Sequence, residues 1–465
     1  MPKPLPSNTP KTEFVVHALF EEEAADAIAA LKPAQSAYLT ARKFTGKAGS
    51  LVLLPGEKEG MLAWFGLGAR RTYNPLTLRA LAPQLPKGRW KLKVDASLDI
   101  HALHVAWGLG AYSFTRYKSS DKAVEATLDD SGLEAAQKLA VELELKAHSL
   151  ARDLVNTPAN DMGPAEIADA AQAIALANGA TCTIITGDDL LKKNYPAVHA
   201  VGRAASADHA PRFIEIGWHP AVIEPGMPTV VLIGKGVSFD TGGLNIKTAG
   251  MGLMKKDMGG AAHALALGDW IMATQLPVRL HILIPAVENA ISGPAMRPGD
   301  VLASRAGISI EVGNTDAEGR LILADALARA DELEPHLTID FATLTGAARV
   351  ALGPDVIPFY CDDEDIVRRL EVASLAQHDP MWRMPLWPGY KDALDSDIAD
   401  VKNDPSGWAQ AGSVTAALFL QKFAPKTGAW VHLDIYAWNP RGRSGFPTGG
   451  EAQTLRAVYH MLKGL

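Results

Sequence analysis

Residues 313–321 read GNTDAEGRL. Asp316 and Glu318 stand two apart, and Arg320 follows two further on, just ahead of an apolar helical pattern. In an extended segment alternate positions share a side, so the three charges would face one space. Two close carboxylates repel each other, and one arginine neutralises them only in part. A helix start with acidic residues in its first turn accounts for such a pattern. A cation held between the carboxylates accounts for it as well.

Two further segments carry unusual charge. In 229–247, TVVLIGKGVSFDTGGLNIK, an apolar run leads into Lys235, Asp240 and Lys247, with glycines at 234, 236, 242 and 243. The segment matches neither the phosphate loop G-x-x-x-x-G-K-[ST] nor the dinucleotide pattern G-x-G-x-x-G. Glycines this dense let a backbone approach a ligand closely. In 254–262, MKKDMGGAA, Asp257 stands where a helix begins. Taken alone it is most simply an N-cap, a position aspartate fills well. Taken together, Asp240, Asp257, Asp316 and Glu318 make four carboxylates that two divalent ions would balance. Oxygen ligation without a cysteine or histidine cluster suits manganese, magnesium or zinc. Two metals roughly 3.5–4 Å apart activate water and clamp the oxygens of a reacting centre. Lys235 would then ligate as a neutral amine, and Lys247 and Arg320 would be cations placed to stabilise an oxyanion.

The elements around these segments alternate. Strands are expected at 12–20, 50–55 and 61–66, and helices at 21–43, 74–84 and 101–117, an α/β arrangement. The polar stretch 118–132 marks a junction, and a long helix follows it until Pro158 and Pro164. Beyond it, strands are expected at 180–186, 198–202, 212–217, 229–234, 279–286, 307–312, 337–343 and 430–436. Helices are expected at 165–178, 257–273, 320–332, 364–375 and 412–423. The fold class is α/β: a small N-terminal domain over 1–130, its first 11 residues disordered, and a large domain over 131–465 with a central mixed sheet flanked by helices. Ligands of open α/β sheets bind beyond the C-terminal ends of the strands, where the charged segments fall.

Composition narrows the function classes. The 465 residues are 48% hydrophobic and 21% charged, an ordinary soluble balance. A net charge of -7 and a pI near 6.0 disfavour nucleic acid as a partner. Two distant cysteines, Cys182 and Cys361, make neither a zinc-thiolate cluster nor a disulfide framework, which suits a reducing, cytoplasmic location. No apolar run of about 18 residues predicts a membrane span.

GNTDAEGRL resembles the signature of the leucyl (cytosol) aminopeptidase family, two-metal exopeptidases. GKGVSFDTGGLNIK and MKKDMGGAA are similar to that family's other metal-binding segments. DLVNTPAND (153–161), GPAMRPGDV (293–301), DFATLTGA (340–347), MPLWPGYKDALDSDIADVKN (384–403) and TAALFLQKF (415–423) extend the likeness over 150–465. The resemblance implies Lys235, Asp240, Asp257, Asp316 and Glu318 as ligands of two manganese, zinc or magnesium ions. Asp240 and Glu318 would bridge; Asp316 would complete one ion, and Lys235 and Asp257 the other. Lys247 and Arg320 would be the catalytic pair, with a bicarbonate on the arginine as general base. Met254, Thr343 and Gly346 would line the pocket for the first side chain. The implied substrates are peptides with a free N-terminus, leucine and similar residues leading, and the implied assembly is a homohexamer. Lys247 to Asp257 is one residue shorter than the family pattern, which bears on the pocket wall over 251–254. A nucleic-acid-binding or regulatory role and a scaffold without chemistry are the competing readings; the pI opposes the first and seven intact positions the second. His432 reads as structural, and the tryptophans at 382, 387, 430 and 438 as core or subunit contacts.

Overall fold

The computed structural model of the chain describes residues 14–56, 60–118, 123–405 and 407–465. The disordered lead-in expected over 1–11 lies outside the described residues. The chain divides into two compact units, Met1–Leu145 with Arg441–Thr448, and Lys146–Pro440 with Gly449–Leu465.

The first unit holds β1 (Phe14–Phe20), α1 (Glu21–Ala29), α2 (Pro33–Ala41), β2 (Leu51–Pro55), β3 (Met61–Gly68), β4 (Gly88–Lys93), α3 (Ile100–Ala111) and β5 (Ala126–Leu128). Its sheet runs β2-β3-β1-β4-β5. Side chains alternate across a strand, so Val16, Ala18 and Phe20 share one face and pack with Phe65, Trp90 and Leu103. The single helix expected over 21–43 is two helices, because Pro33 lacks an N–H and starts a new first turn. The helix expected over 74–84 consists of 3-10 turns at Pro75–Ala80 and Ala82–Gln84, each with a proline in its first two residues.

Helix α4 (Ala135–Asn156) leads to the second unit. There follow α5 (Pro164–Ala177), β6 (Thr181–Thr186), α6 (Asp189–Lys192), α7 (Pro196–Gly202), β7 (Arg212–Trp218), β8 (Thr229–Gly234) and β9 (Gly236–Asp240). A 3-10 segment, Met251–Met258, runs into α8 (Gly259–Ala273). Then come β10 (Arg279–Asn289), β11 (Val301–Leu302), β12 (Ile310–Glu311), α9 (Gly319–Asp331), β13 (Leu337–Ala342), α10 (Gly346–Leu352) and β14 (Ile357–Tyr360). The last elements are α11 (Glu364–Ala376), β15 (Met381–Arg383), β16 (Val401–Lys402), α12 (Gly412–Gln421), β17 (Ala429–Asp434) and α13 (Leu455–Leu462).

Nine strands form one mixed sheet in the order β15-β14-β17-β13-β8-β10-β7-β6, with β9 also on β10. The central β17, β13, β8 and β10 are parallel, and β7 and β14 run antiparallel to their inner neighbours. Central strands buried on both faces read as continuous apolar runs, as TVVLIG does. Val231 and Ile233 face a cluster with Leu321, Leu323 and Leu327 of α9 and Phe419 of α12. On the other face a Cβ at Gly234 would lie 2.6 Å from Ala261 Cα, so only glycine lets α8 close on the sheet. Helices thus cover both faces of the mixed sheet. No helix among the described residues is long and apolar enough to cross a membrane.

Two expected strands differ. Residues 198–202 belong to α7, whose first N–H groups, of Ala197 and Val198, are taken by Asp325 Oδ2 of α9. A partner 128 positions away is invisible to local periodicity. The strand expected over 307–312 shrinks to β12, which pairs with β11 and β16 in a separate small sheet. His432 is fully buried on β17, with its Nδ1 2.6 Å from Asp340 Oδ1. Trp430 is buried, whereas Trp382 and Trp387 are exposed.

Candidate metal centre

β8 and β9 are one strand interrupted at Lys235. Both pair parallel with β10, and the register is the same on either side of the break. At the break the Lys235 N–H donates to Phe341 O (3.0 Å) and its carbonyl accepts from Ala261 N (2.9 Å). The backbone is therefore satisfied while the side chain leaves the sheet. Its Nζ stands 2.8 Å from Asp257 Oδ2 and 3.1 Å from Glu318 Oε1, and donates to Thr343 O at 3.1 Å. Asp240 closes β9. Its Oδ1 accepts from Gly242 N (2.9 Å) and Asn289 Nδ2 (2.8 Å), which leaves Oδ2 for Lys247 Nζ at 2.7 Å. Gly242 has φ +87, and a Cβ there would sit 2.9 Å from Asp316 Oδ1. The glycine lets the loop bend and lets the carboxylate approach.

The GNTDAEGRL loop is a turn rather than an extended strand end. Buried Asn403 clamps it: Oδ1 accepts from Gly313 N and Asn314 N, while Nδ2 donates to Asn314 O and Ala317 O. Thr315 Oγ1 donates to Gly242 O at 2.6 Å, tying this loop to the one after β9. Glu318 occupies the N-cap position of α9, yet its side chain makes no cap bond. Gly319 has no room for a Cβ, which would lie 2.4 Å from Lys235 Cε. Asp316 Oδ1 lies 2.5 Å from Lys247 Nζ. Arg320 diverges from the two acids, against the common facing an extended segment would impose. It is buried, donates from Nη1 to Asn403 O at 2.7 Å, and forms no ion pair among the described residues. Its Nε has no hydrogen-bond partner.

Asp257 is the penultimate residue of the 3-10 segment and does not cap α8, whose N-cap is Met258. Its Oδ1 instead accepts from Thr343 Oγ1 at 2.8 Å, beyond the end of β13. The carboxylates thus fall into two overlapping groups. Asp240, Asp316 and Glu318 each offer an oxygen within 4.8 Å of the others. Lys235 joins Asp257 to Glu318. Glu318 belongs to both.

The electrostatics follow from this crowding. Burial, then Asp240, push the Glu318 carboxyl up to about 8. Burial and Asp240 also raise Asp316, against the pull of Lys247. Burial works against the charge of Lys235, but Asp257, Glu318 and Asp240 hold its ammonium form above the ordinary lysine range. Lys247 is raised likewise by Asp240 and Asp316. Burial brings Arg320 down to about 10 and Lys256 down to about 8. Asp257 Oδ2, Asp316 Oδ1 and Glu318 Oε1 are buried without a hydrogen bond, although a lysine ammonium lies at ion-pair distance from each. The lysines balance charge without meeting these oxygens at hydrogen-bonding angles. Oxygens so placed, with an amine among them, fit hard or borderline divalent ions.

A cleft of about 590 Å³ opens over the cluster. Lys235, Asp240, Lys247, Asp257 and Asp316 line it together with Met254, Thr343 and Gly346, while Glu318 and Arg320 do not. Sequence reasoning missed Asn289, Asn403, Thr315 and Asp434. Asp434 accepts from Leu344 N, Thr345 N and Thr345 Oγ1 and so shapes the loop after β13. Asn289 and Asp434 end apolar runs, Thr315 and Asn403 lie among polar residues, and surface residues share both patterns. Lys256, Arg349 and Tyr436 were missed as well, and they also line the cleft.

Comparison with known proteins gives one family for both units. The model described as "Cytosol aminopeptidase family, catalytic domain" matches residues 149–459, and "M17 aminopeptidase, N-terminal domain" matches 15–128. A probable cytosol aminopeptidase of Nostoc punctiforme is 37% identical over 450 residues, covering 91% of this chain and 89% of the relative. The crystal structure of cytosol aminopeptidase from Coxiella burnetii superposes with a TM-score of 0.90 at 42% identity, covering 98% of each chain. The bottromycin maturation enzyme BotP in complex with Mn gives a TM-score of 0.86 at 30% identity, over 97% of this chain and 99% of its own.

Proposed function

Because the chain belongs to the cytosol aminopeptidase family and is a peptidase of that kind, we propose that Lys235, Asp240, Asp257, Asp316 and Glu318 hold two divalent ions for release of N-terminal residues. Manganese or zinc, with magnesium as the alternative, suits the donor set. When bound, such ions supply Lewis acidity and a water of lowered pKa. The overlap of the two carboxylate groups on Glu318 is the observation that carries this reading.

The remaining roles belong to side chains. Lys247 lines the cleft between Asp240 and Asp316, a fixed cation facing the position where negative charge grows on a scissile carbonyl. Arg320, with a free Nε and an Nη1 anchored on Asn403, holds an anion such as bicarbonate. Met254, Thr343 and Gly346 receive the first side chain. The divalent ions that these carboxylates would hold supply Lewis acidity for a free α-amine, which restricts cleavage to the N-terminus. The enzyme acts in the cytoplasm, a location that the name cytosol aminopeptidase of its relatives supports, and as a homohexamer, which light scattering tests. Hydrolysis of leucine-p-nitroanilide or Leu-Gly by manganese-loaded protein tests the reading. No turnover of any peptide with a free N-terminus would remove it.

A further inference from the structure

The cleft has a cationic wall that the reaction does not use. Lys256 is only 6% exposed, yet it lines the cleft. Its Nζ lies 5.1 Å from the centre of the Tyr436 ring. Arg349, three residues after Gly346 on α10, brings its Cζ to 5.1 Å from the same ring. Among the described residues neither side chain makes a hydrogen bond or an ion pair. The acids that could serve them are committed elsewhere. Asp257 takes Thr343 Oγ1 and Lys235. Asp434 takes two backbone N–H groups and Thr345 Oγ1.

A buried cation without a counter-charge is costly to keep. The aromatic face steadies both cations and fixes where they sit, but it does not cancel their charge. Two positive groups, each 5.1 Å from the centre of one ring, line the cleft and present charge that a carboxylate side chain would answer. Met254 precedes Lys256 by two residues, and Gly346 precedes Arg349 by one helical turn. The cations are therefore continuous with the pocket assigned to the first side chain.

We propose that this cleft selects peptides whose first residue is acidic, with the side-chain carboxylate of aspartate or glutamate seated against Lys256 and Arg349 beside Tyr436. The proposal rests on the aminopeptidase reading and goes beyond its apolar first residue. A carboxylate also occurs at the C-terminus of a dipeptide, so the assay separates the two sources.

The experiment compares kcat/KM of metal-loaded protein on glutamyl- and leucyl-p-nitroanilide, and on Leu-Gly against Leu-glycinamide. Wild type should turn over the glutamyl amide at least as well as the leucyl amide. Lys256→Met, a replacement of similar volume, should lower the glutamyl-to-leucyl ratio by roughly ten- to a hundredfold, the range for a hydrogen bond to a charged group. Arg349→Ala should lower the ratio less, because that side chain is exposed. Lys256→Arg should restore most of it. Free glutamate should inhibit more strongly than free leucine in wild type, and this order should reverse in Lys256→Met. Turnover of leucyl but not glutamyl amide by wild type would overturn the proposal and leave the aminopeptidase intact. So would a Lys256→Met loss confined to Leu-Gly, which would assign the cations to the C-terminal carboxylate. No turnover of any amide would remove the aminopeptidase reading, and the proposal with it.

Discussion

Asp240 on the acidic side of the cleft is held by Gly242 N and Asn289 Nδ2, Asp257 by Thr343 Oγ1, and the loop carrying Asp316 and Glu318 by Asn403. On the cationic side, Lys256 and Arg349 stand near the ring of Tyr436 and, among the described residues, make no hydrogen bond or ion pair. The first set is located by directional hydrogen bonds, the second by a broad attraction to an aromatic face. The contrast separates two tasks. Chemistry needs groups fixed within a fraction of an ångström, and directional bonds supply that. Choosing among substrates tolerates a looser placement, and cations over an aromatic face supply it.

Breaking the acidic side should have the largest effect. Glu318 belongs to both carboxylate groups, so Glu318→Ala should abolish turnover, and metal analysis of the purified variant should show ion loss. A chelator should do the same to wild type, with activity restored on adding manganese. Next comes Lys247→Ala, which removes the fixed cation without removing a ligand. It should reduce kcat by about 10²–10³, the cost of losing one donor to a developing oxyanion. Asn403→Ala tests the clamp, since it releases four hydrogen bonds around the 313–317 loop and touches no substrate. Titration of metal against activity should show affinity weakened about ten- to a hundredfold, as for other supports of ligands. The smallest effect belongs to the pocket. Met254→Ala should lower kcat/KM for leucyl amide by about tenfold, the low end for an apolar pocket, with metal content unchanged. A Met254→Ala variant that lost metal would erase the distinction between floor and wall.

Much of the acidic side was legible because its residues sit in short, dense motifs. Lys235, Asp240 and Lys247 lie within thirteen positions, as do Met254, Asp257 and the glycines that follow. The facing of Arg320 was misread because 313–318 turns where an extended segment was assumed. Lys255 and Lys256 are adjacent and identical in type, so the sequence does not distinguish them. Only the fold separates them: Lys255 donates to Asn156 O at 2.6 Å, while Lys256 turns into the cleft. Arg349 and Tyr436 stand 87 positions apart with no motif to link them.

Alternating apolar runs and glycine-rich junctions were enough to establish an α/β protein with a central mixed sheet, because local burial pattern and backbone freedom are properties of neighbouring residues. The short charged motifs at the strand ends were also enough to single out the carboxylates, because ligands of open α/β sheets bind where those segments fall. The tertiary structure alone decided that α7 is a helix started by Asp325, that Glu318 is shared between two groups of ligands, and that Lys256, Arg349 and Tyr436 meet. Each of these depends on a partner many residues away, and a contact of that kind exists only once the sheet has brought its strand ends together.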